Sequence, residues 1–93
     1  MRYEVKETRQ FRKDRRNCIR RGLPQEELDA VVLTLAAGEE LEPKFRDHEL
    51  KGQLAGFREC HIRPDWLLVY LKVEKVLVLS LQRTGTHAEL FKK

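Results

Sequence analysis

Cysteine is scarce in this chain: Cys18 and Cys60 are the only two in 93 residues, and no short ligand spacing relates them. That excludes a disulfide framework and a cysteine-built structural zinc site, and it suits reduced thiols in the cytoplasm. No run approaches the roughly 18 apolar residues that a membrane-spanning helix needs, and no secretory apolar stretch opens the sequence, so no membrane partner is expected. With three prolines and five glycines there is no Pro- or Gly-rich linker. The length then points to one domain, residues 1–93, without a deep internal substrate cavity. Basic residues are missing altogether between positions 25 and 42, which hold six acidic ones. Residues 1–24 carry nine basic and three acidic side chains, and residues 43–93 carry ten and six, so one acidic segment separates two basic ones. The net charge of +4 is a moderate bias towards polyanions.

What is present supports a folded core, with 41% hydrophobic residues among 37% charged ones. Tyr3 and Val5 alternate with polar neighbours, as in a short strand with one buried face. Thr8 offers an N-cap to a helix over Arg9–Arg21, in which Phe11, Cys18 and Ile19 form a narrow apolar stripe. Its outer face, with Arg12, Lys13, Arg15, Arg16, Arg20 and Arg21, is suited to phosphates, although such a face is commonly plain solvated surface. After Gly22, Pro24 and the acidic first turn of Glu26, Glu27 and Asp29 start a second helix, whose Leu28, Val31, Val32 and Leu35 have helical spacing. Residues 39–56 read as loop. Three strands follow, Phe57–Arg63, Trp66–Lys72 and Lys75–Gln82, joined by short connections into an antiparallel meander. A helical turn around Ala88–Phe91 ends the series. The fold class expected is α+β: a small antiparallel sheet in β-α-α-β-β-β order, with the helical hairpin packed on one face.

The polar stretch Arg83-Thr84-Gly85-Thr86-His87 has little packing to do after an apolar strand. Together with the segments around His48 and around His61, Asp65 and Trp66, it gathers all three histidines of the chain. This is a candidate site for acid–base chemistry on a phosphate. Asp47-His48-Glu49-Leu50-Lys51-Gly52, Gly56–Trp66 and Arg83–Phe91 closely resemble, in order and spacing, the motifs of the YafQ family of toxins in the RelE/ParE superfamily. The resemblance covers about residues 44–93; before that only element order and basicity agree. Cys60, where small residues are usual, and Gln82, where an acidic residue is frequent, depart from the pattern.

The resemblance implies a RelE-like fold and a bacterial endoribonuclease that cuts messenger RNA in the ribosomal decoding site, against ribosomal RNA, and is neutralised by a cognate antitoxin. It also implies functional positions at His48, His61, Asp65, Trp66, Arg83, His87 and Phe91. Cleavage without a metal or cofactor needs a base for the 2′-OH, a cation for the phosphate and an acid for the departing 5′-oxygen. Histidine suits proton transfer because its ordinary pKa of about 6.5 lies near working pH. Arg83 would hold the phosphate and His87 would be the acid; Asp65 or His48 would be the base, with His61 orienting or sharing that role. Trp66 and Phe91 would stack on bases. The alternatives are a metal site from His48, His61, Asp65 and His87 with Cys60, a ParE-like toxin that acts by binding, and a plain RNA-binding module.

Overall fold

The computed structural model describes residues 2–91. Strand β1 (Glu4–Glu7) leads into helix α1 (Arg9–Arg20), which Thr8 caps by accepting from the Phe11 amide at 3.0 Å. Helix α2 (Gln25–Ala36) follows, and the two-residue strand β2 (His48–Glu49) lies within the segment expected to be loop. Strands β3 (Arg58–Arg63), β4 (Trp66–Val73) and β5 (Val78–Gly85) precede the one-turn helix α3 (His87–Leu90). No described helix is long and apolar enough to cross a membrane.

The architecture is the expected α+β, with two additions. The sheet has five strands in the order β1-β5-β4-β3-β2, and β1 pairs parallel to β5 while every other pair is antiparallel. Phe11 and Cys18 of α1 and Leu28, Val31, Leu35 and Ala36 of α2 bury against Trp66, Leu68, Tyr70, Leu79 and Leu81 in one core. Two details of the apolar pattern fail. Ile19 is exposed, and the buried α1 position between Phe11 and Cys18 is taken by Asp14. Val76 and Leu77 belong to the β4–β5 turn, with Leu77 in the left-handed region at φ 51°, so both stay exposed and β5 starts and ends three residues later than expected.

The later boundary matters because it puts Arg83, Thr84 and Gly85 inside β5. Leu79 and Leu81 face the helices, and simple alternation would send Arg83 the same way. The ladder instead pairs Tyr70 with Leu81 and Val69 with Arg83, which leaves Gln82 as the extra residue of a β-bulge. The bulge reverses the phase: Thr84 joins the core side with its partner Leu68, and Arg83 turns to the opposite face with Val69.

Candidate active site

Register assembles this opposite face from four strands. His48, Glu59, Val69 and Arg83 form one row across β2, β3, β4 and β5, and His61, Leu67 and Gly85 form the next. Paired residues in antiparallel strands share a face, so the pleat itself brings two motif histidines and the arginine to one side. The third histidine, His87, arrives on α3 just beyond Gly85. The imidazoles then stand in file, with ring centroids 6.3 Å apart for His48 and His61 and 5.5 Å for His61 and His87; Phe91 follows at 6.3 Å from His87.

Each ring is held by named acceptors. A backbone carbonyl can only accept, so the contact of His48 Nδ1 with the Arg46 carbonyl (2.6 Å) assigns the Nδ1 proton and turns Nε2 towards Glu59 Oε1 at 3.4 Å. His61 repeats the arrangement, Nδ1 against the Pro64 carbonyl at 3.2 Å and Nε2 against the same Glu59 oxygen at 3.4 Å. Asp65 Oδ1 lies 3.1 Å from both the backbone nitrogen and Nδ1 of His87, which leaves His87 Nε2 open. The two hydrogen bonds, the backbone one foremost, hold the Asp65 carboxyl below its usual range.

The start of β2, which carries His48, is anchored by the residue before it. Asp47 accepts from the Tyr70 hydroxyl at 2.5 Å and pairs with Arg58 at 3.4 Å. Burial, followed by the Asp47 hydrogen bond, pushes the Tyr70 hydroxyl upward, so it stays a donor. Helix α3 is set by a capping box: Thr86 accepts from the Glu89 amide, and Glu89 accepts from the Thr86 amide at 2.9 Å. The Glu89 carboxylate also pairs with Arg21 at 3.0 Å. Gly85, at φ 155°, gives this carboxylate room, because a Cβ there would stand 2.8 Å from Glu89 Oε1.

Exposure divides the expected residues. His48 and His87 show 49% and 52% of their side chains, whereas His61 shows 10%, so the first two can meet a substrate and His61 stands behind them. Trp66 is a correction: 2% exposed in the core, with its indole donating to Thr84 Oγ1 at 2.9 Å, it has no face to offer a base. The half-buried Phe91 keeps part of its surface. On α1, Arg15 pairs with Glu7 at 2.9 Å and Arg12 donates to the Glu7 carbonyl, while Lys13, Arg16 and Arg20 are exposed. Arg83 is paired with Asp14, which the sequence did not suggest as a partner.

Glu59 is a candidate site residue absent from the set expected from the sequence. A glutamate in the charged run Arg58–Arg63 reads as solvated surface, yet this one is buried between two imidazoles. Its period-two placement with His61 was the available signal. Glu59, His61 and His87 each offer one ligand atom, all within 4.8 Å of one another, and this donor set fits a borderline transition metal. Cys60 cannot join them, because it faces the core, fully buried, and burial pushes its thiol upward.

The model of the YafQ family, a bacterial toxin of type II toxin–antitoxin systems, matches residues 3–92. An mRNA interferase toxin YafQ from Escherichia coli K12 is 47% identical over 47 residues, which are 50% of this chain and 49% of that protein. The chain therefore matches about half the length of this curated relative. Solved structures are similar over nearly the whole chain. A metal-bound toxin from Helicobacter pylori is 42% identical with TM-score 0.91, covering 96% of this chain and 99% of that one. A copper-bound mutant toxin from the same organism is 43% identical with TM-score 0.90 at the same coverage. The toxin chain of the E. coli DinJ–YafQ complex is 31% identical with TM-score 0.88, covering 96% and 98%.

Proposed function

The chain belongs to the YafQ family of bacterial type II toxins, and from that membership we propose that it is a cytoplasmic endoribonuclease, an mRNA interferase that cuts messenger RNA in the ribosomal decoding site against ribosomal RNA. The observation that carries this reading is the file of His48, His61 and His87, each oriented by an acceptor on one nitrogen. The curated E. coli relative, named an mRNA interferase toxin, supports the reaction class. The E. coli toxin–antitoxin complex supports a cognate antitoxin as partner.

The geometry favours His48 over Asp65 as the base. Asp65 is committed to two His87 hydrogen bonds, and a carboxylate held below its usual range is a poor proton acceptor. Neutral His48 takes the 2′-OH proton on Nε2, and the imidazolium so formed is met by Glu59, 3.4 Å away. The 2′-oxygen attacks phosphorus as Arg83 balances the charge on the phosphoryl oxygens. His87, protonated on Nε2 and backed by Asp65, gives its proton to the 5′-oxygen as that bond breaks. The products are a 2′,3′-cyclic phosphate and a 5′-hydroxyl end. Buried His61 and Glu59 orient the exposed pair, Phe91 stacks on a base beside the scissile phosphate, and Arg12, Lys13, Arg15, Arg16, Arg20 and Arg21 of the α1 region contact phosphates without reading sequence.

Sequencing 5′-hydroxyl ends after induction, with and without stalled ribosomes, tests this directly. New ends confined to translated messages are expected; a translation block without new ends would overturn the nuclease assignment. A second reading rests on the Glu59–His61–His87 donor set and the metal-bound H. pylori structures: these three residues would hold copper, which would inhibit by occupying the imidazoles. Micromolar copper should then stop cleavage reversibly, with a chelator restoring it, and Glu59→Gln should weaken the inhibition.

A further inference from the structure

Arg83 leaves the sheet face at an unusual place. Strand β1 ends at Glu7, so the outer edge of β5 beyond Leu81 has no strand beside it. Helix α1 runs along that edge instead. Thr8 binds the Leu81 and Gln82 carbonyls from its amide and hydroxyl at 3.1 and 3.2 Å, and one turn and a half later Asp14 takes the next open position. Asp14 Oδ2 accepts from the Thr84 amide at 3.2 Å, doing for that N–H what a neighbouring strand would have done. The same oxygen accepts from Arg83 Nε at 2.7 Å, and Oδ1 accepts from Arg83 Nη2 at 3.3 Å and from Gln10 Nε2 at 3.0 Å.

A surface ion pair would not need this construction. Asp14 is buried on an otherwise apolar helix stripe, where an unpaired carboxylate is costly, so all its acceptor positions are filled by fixed donors. One of those donors, the Thr84 amide, is part of the sheet; another, Gln10, sits on the same helix. The carboxylate is therefore a rigid anchor, and the guanidinium docks on it by one edge only. The other edge, Nη1 and the second Nη2 hydrogen, has no partner among the described residues. That edge is the fork that can take two phosphate oxygens.

We propose that Asp14 is the positioning residue of Arg83: it grips the Nε edge so that the Nη edge is presented to the scissile phosphate in one orientation. The proposal rests on the nuclease reading for its chemistry, but not for its geometry. A free arginine side chain has rotamer entropy to lose when it binds, and a docked one has already lost it. The effect should fall on the chemical step, because misplacement of a charge-stabilising group by about 1 Å can lower a rate by about 100-fold with substrate binding preserved.

The test is a double-mutant cycle in single-turnover cleavage on programmed ribosomes, using wild type, Asp14→Asn, Arg83→Ala and the double variant, with the Arg83 Nε–H resonance followed by 15N NMR. Asp14→Asn preserves shape and one acceptor, and the melting temperature of each variant checks folding. With Arg83 present, Asp14→Asn should lower the rate about 10- to 100-fold at nearly unchanged KM and should broaden or lose the Nε–H signal. In the Arg83→Ala background it should change the rate less than about 2-fold. Equal losses in both backgrounds would make Asp14 merely structural, and faster cleavage by Asp14→Asn would mean that it restrains Arg83 from the phosphate; either overturns the proposal. If wild type cuts nothing, the nuclease reading fails by itself. The Nε–H signal still decides positioning, and its persistence in Asp14→Asn overturns the proposal.

Discussion

Two aspartates hold basic side chains in this site, and they do so differently. Asp14 shows 7% of its side chain and meets Arg83, a sheet amide and a glutamine, whereas Asp65 shows 66% and, among the described residues, hydrogen-bonds to His87 alone. The buried carboxylate holds a group that is charged at every working pH and has only to be aimed. On the proposed mechanism the exposed one holds a group that gains and loses a proton within each turnover. Burial suits the first task, because rigidity costs the arginine nothing it needs. Solvent contact suits the second, because on that mechanism the imidazole exchanges its proton and reaches the leaving oxygen. The middle of the site combines both modes: buried Glu59 backs exposed His48 through one oxygen that it shares with His61.

The largest effect should come from a residue that belongs to neither aspartate. Trp66→Ala removes a fully packed indole and its bond to Thr84, the residue between Arg83 and Gly85, and should destabilise the fold by about 3–5 kcal/mol in urea unfolding. If Trp66 were a base platform, stability would hardly change and RNA affinity would fall. Next in size is Arg83→Ala, which leaves buried Asp14 with fewer donors. It should cost about 1–3 kcal/mol of stability besides its loss of rate, whereas Asp65→Asn at the exposed end should leave unfolding nearly unaltered.

The pH response sharpens the contrast further. The Asp65 carboxyl is held low, so its contribution to fixing α3 is complete above the ordinary carboxylate range and disappears as pH falls through the lowered value. An NMR titration should find Asp65 protonating at lower pH than free aspartate. His87→Ala should move it only part of the way back, because the backbone N–H of residue 87, the larger cause, remains. The smallest effects belong to the basic outer face of α1. Lys13→Ala or Arg16→Ala should weaken ribosome binding alike on all messages and reduce the logarithmic salt slope by about 1 each, with the cleavage step intact.

The sequence shows the broad frame of this molecule because the frame depends on local patterns. Helix caps, the period of Leu28, Val31 and Leu35, and turn residues at Gly22 and Pro64 are readable one segment at a time. The convergence of His48, His61 and His87 was legible through three motifs in order, and the Thr86-x-x-Glu89 capping box that sets α3 was legible too, though passed over. Other features depend on partners distant in sequence. The parallel pairing of β1 with β5 joins residues more than seventy positions apart, and nothing in Glu4–Glu7 specifies the partner. The Gln82 bulge, which turns Arg83 to the site, leaves no composition signal. Asp14 on an apolar stripe and Glu59 in the charged run Arg58–Arg63 both look like surface charges until the structure supplies the arginine and the imidazoles that permit their burial.

In the proposed mechanism His87, oriented by Asp65, protonates the departing 5′-oxygen. The most direct measurement compares single-turnover cleavage of an ordinary message with one carrying a 5′-bridging sulfur at the scissile position. Sulfur leaves as a thiolate and needs no proton, since thiols are far stronger acids than alcohols. His87→Ala should lose about 100- to 10,000-fold on the oxygen substrate and recover most of that on the sulfur one, whereas Arg83→Ala should stay slow on both. Equal impairment of His87→Ala on the two substrates would contradict the assignment.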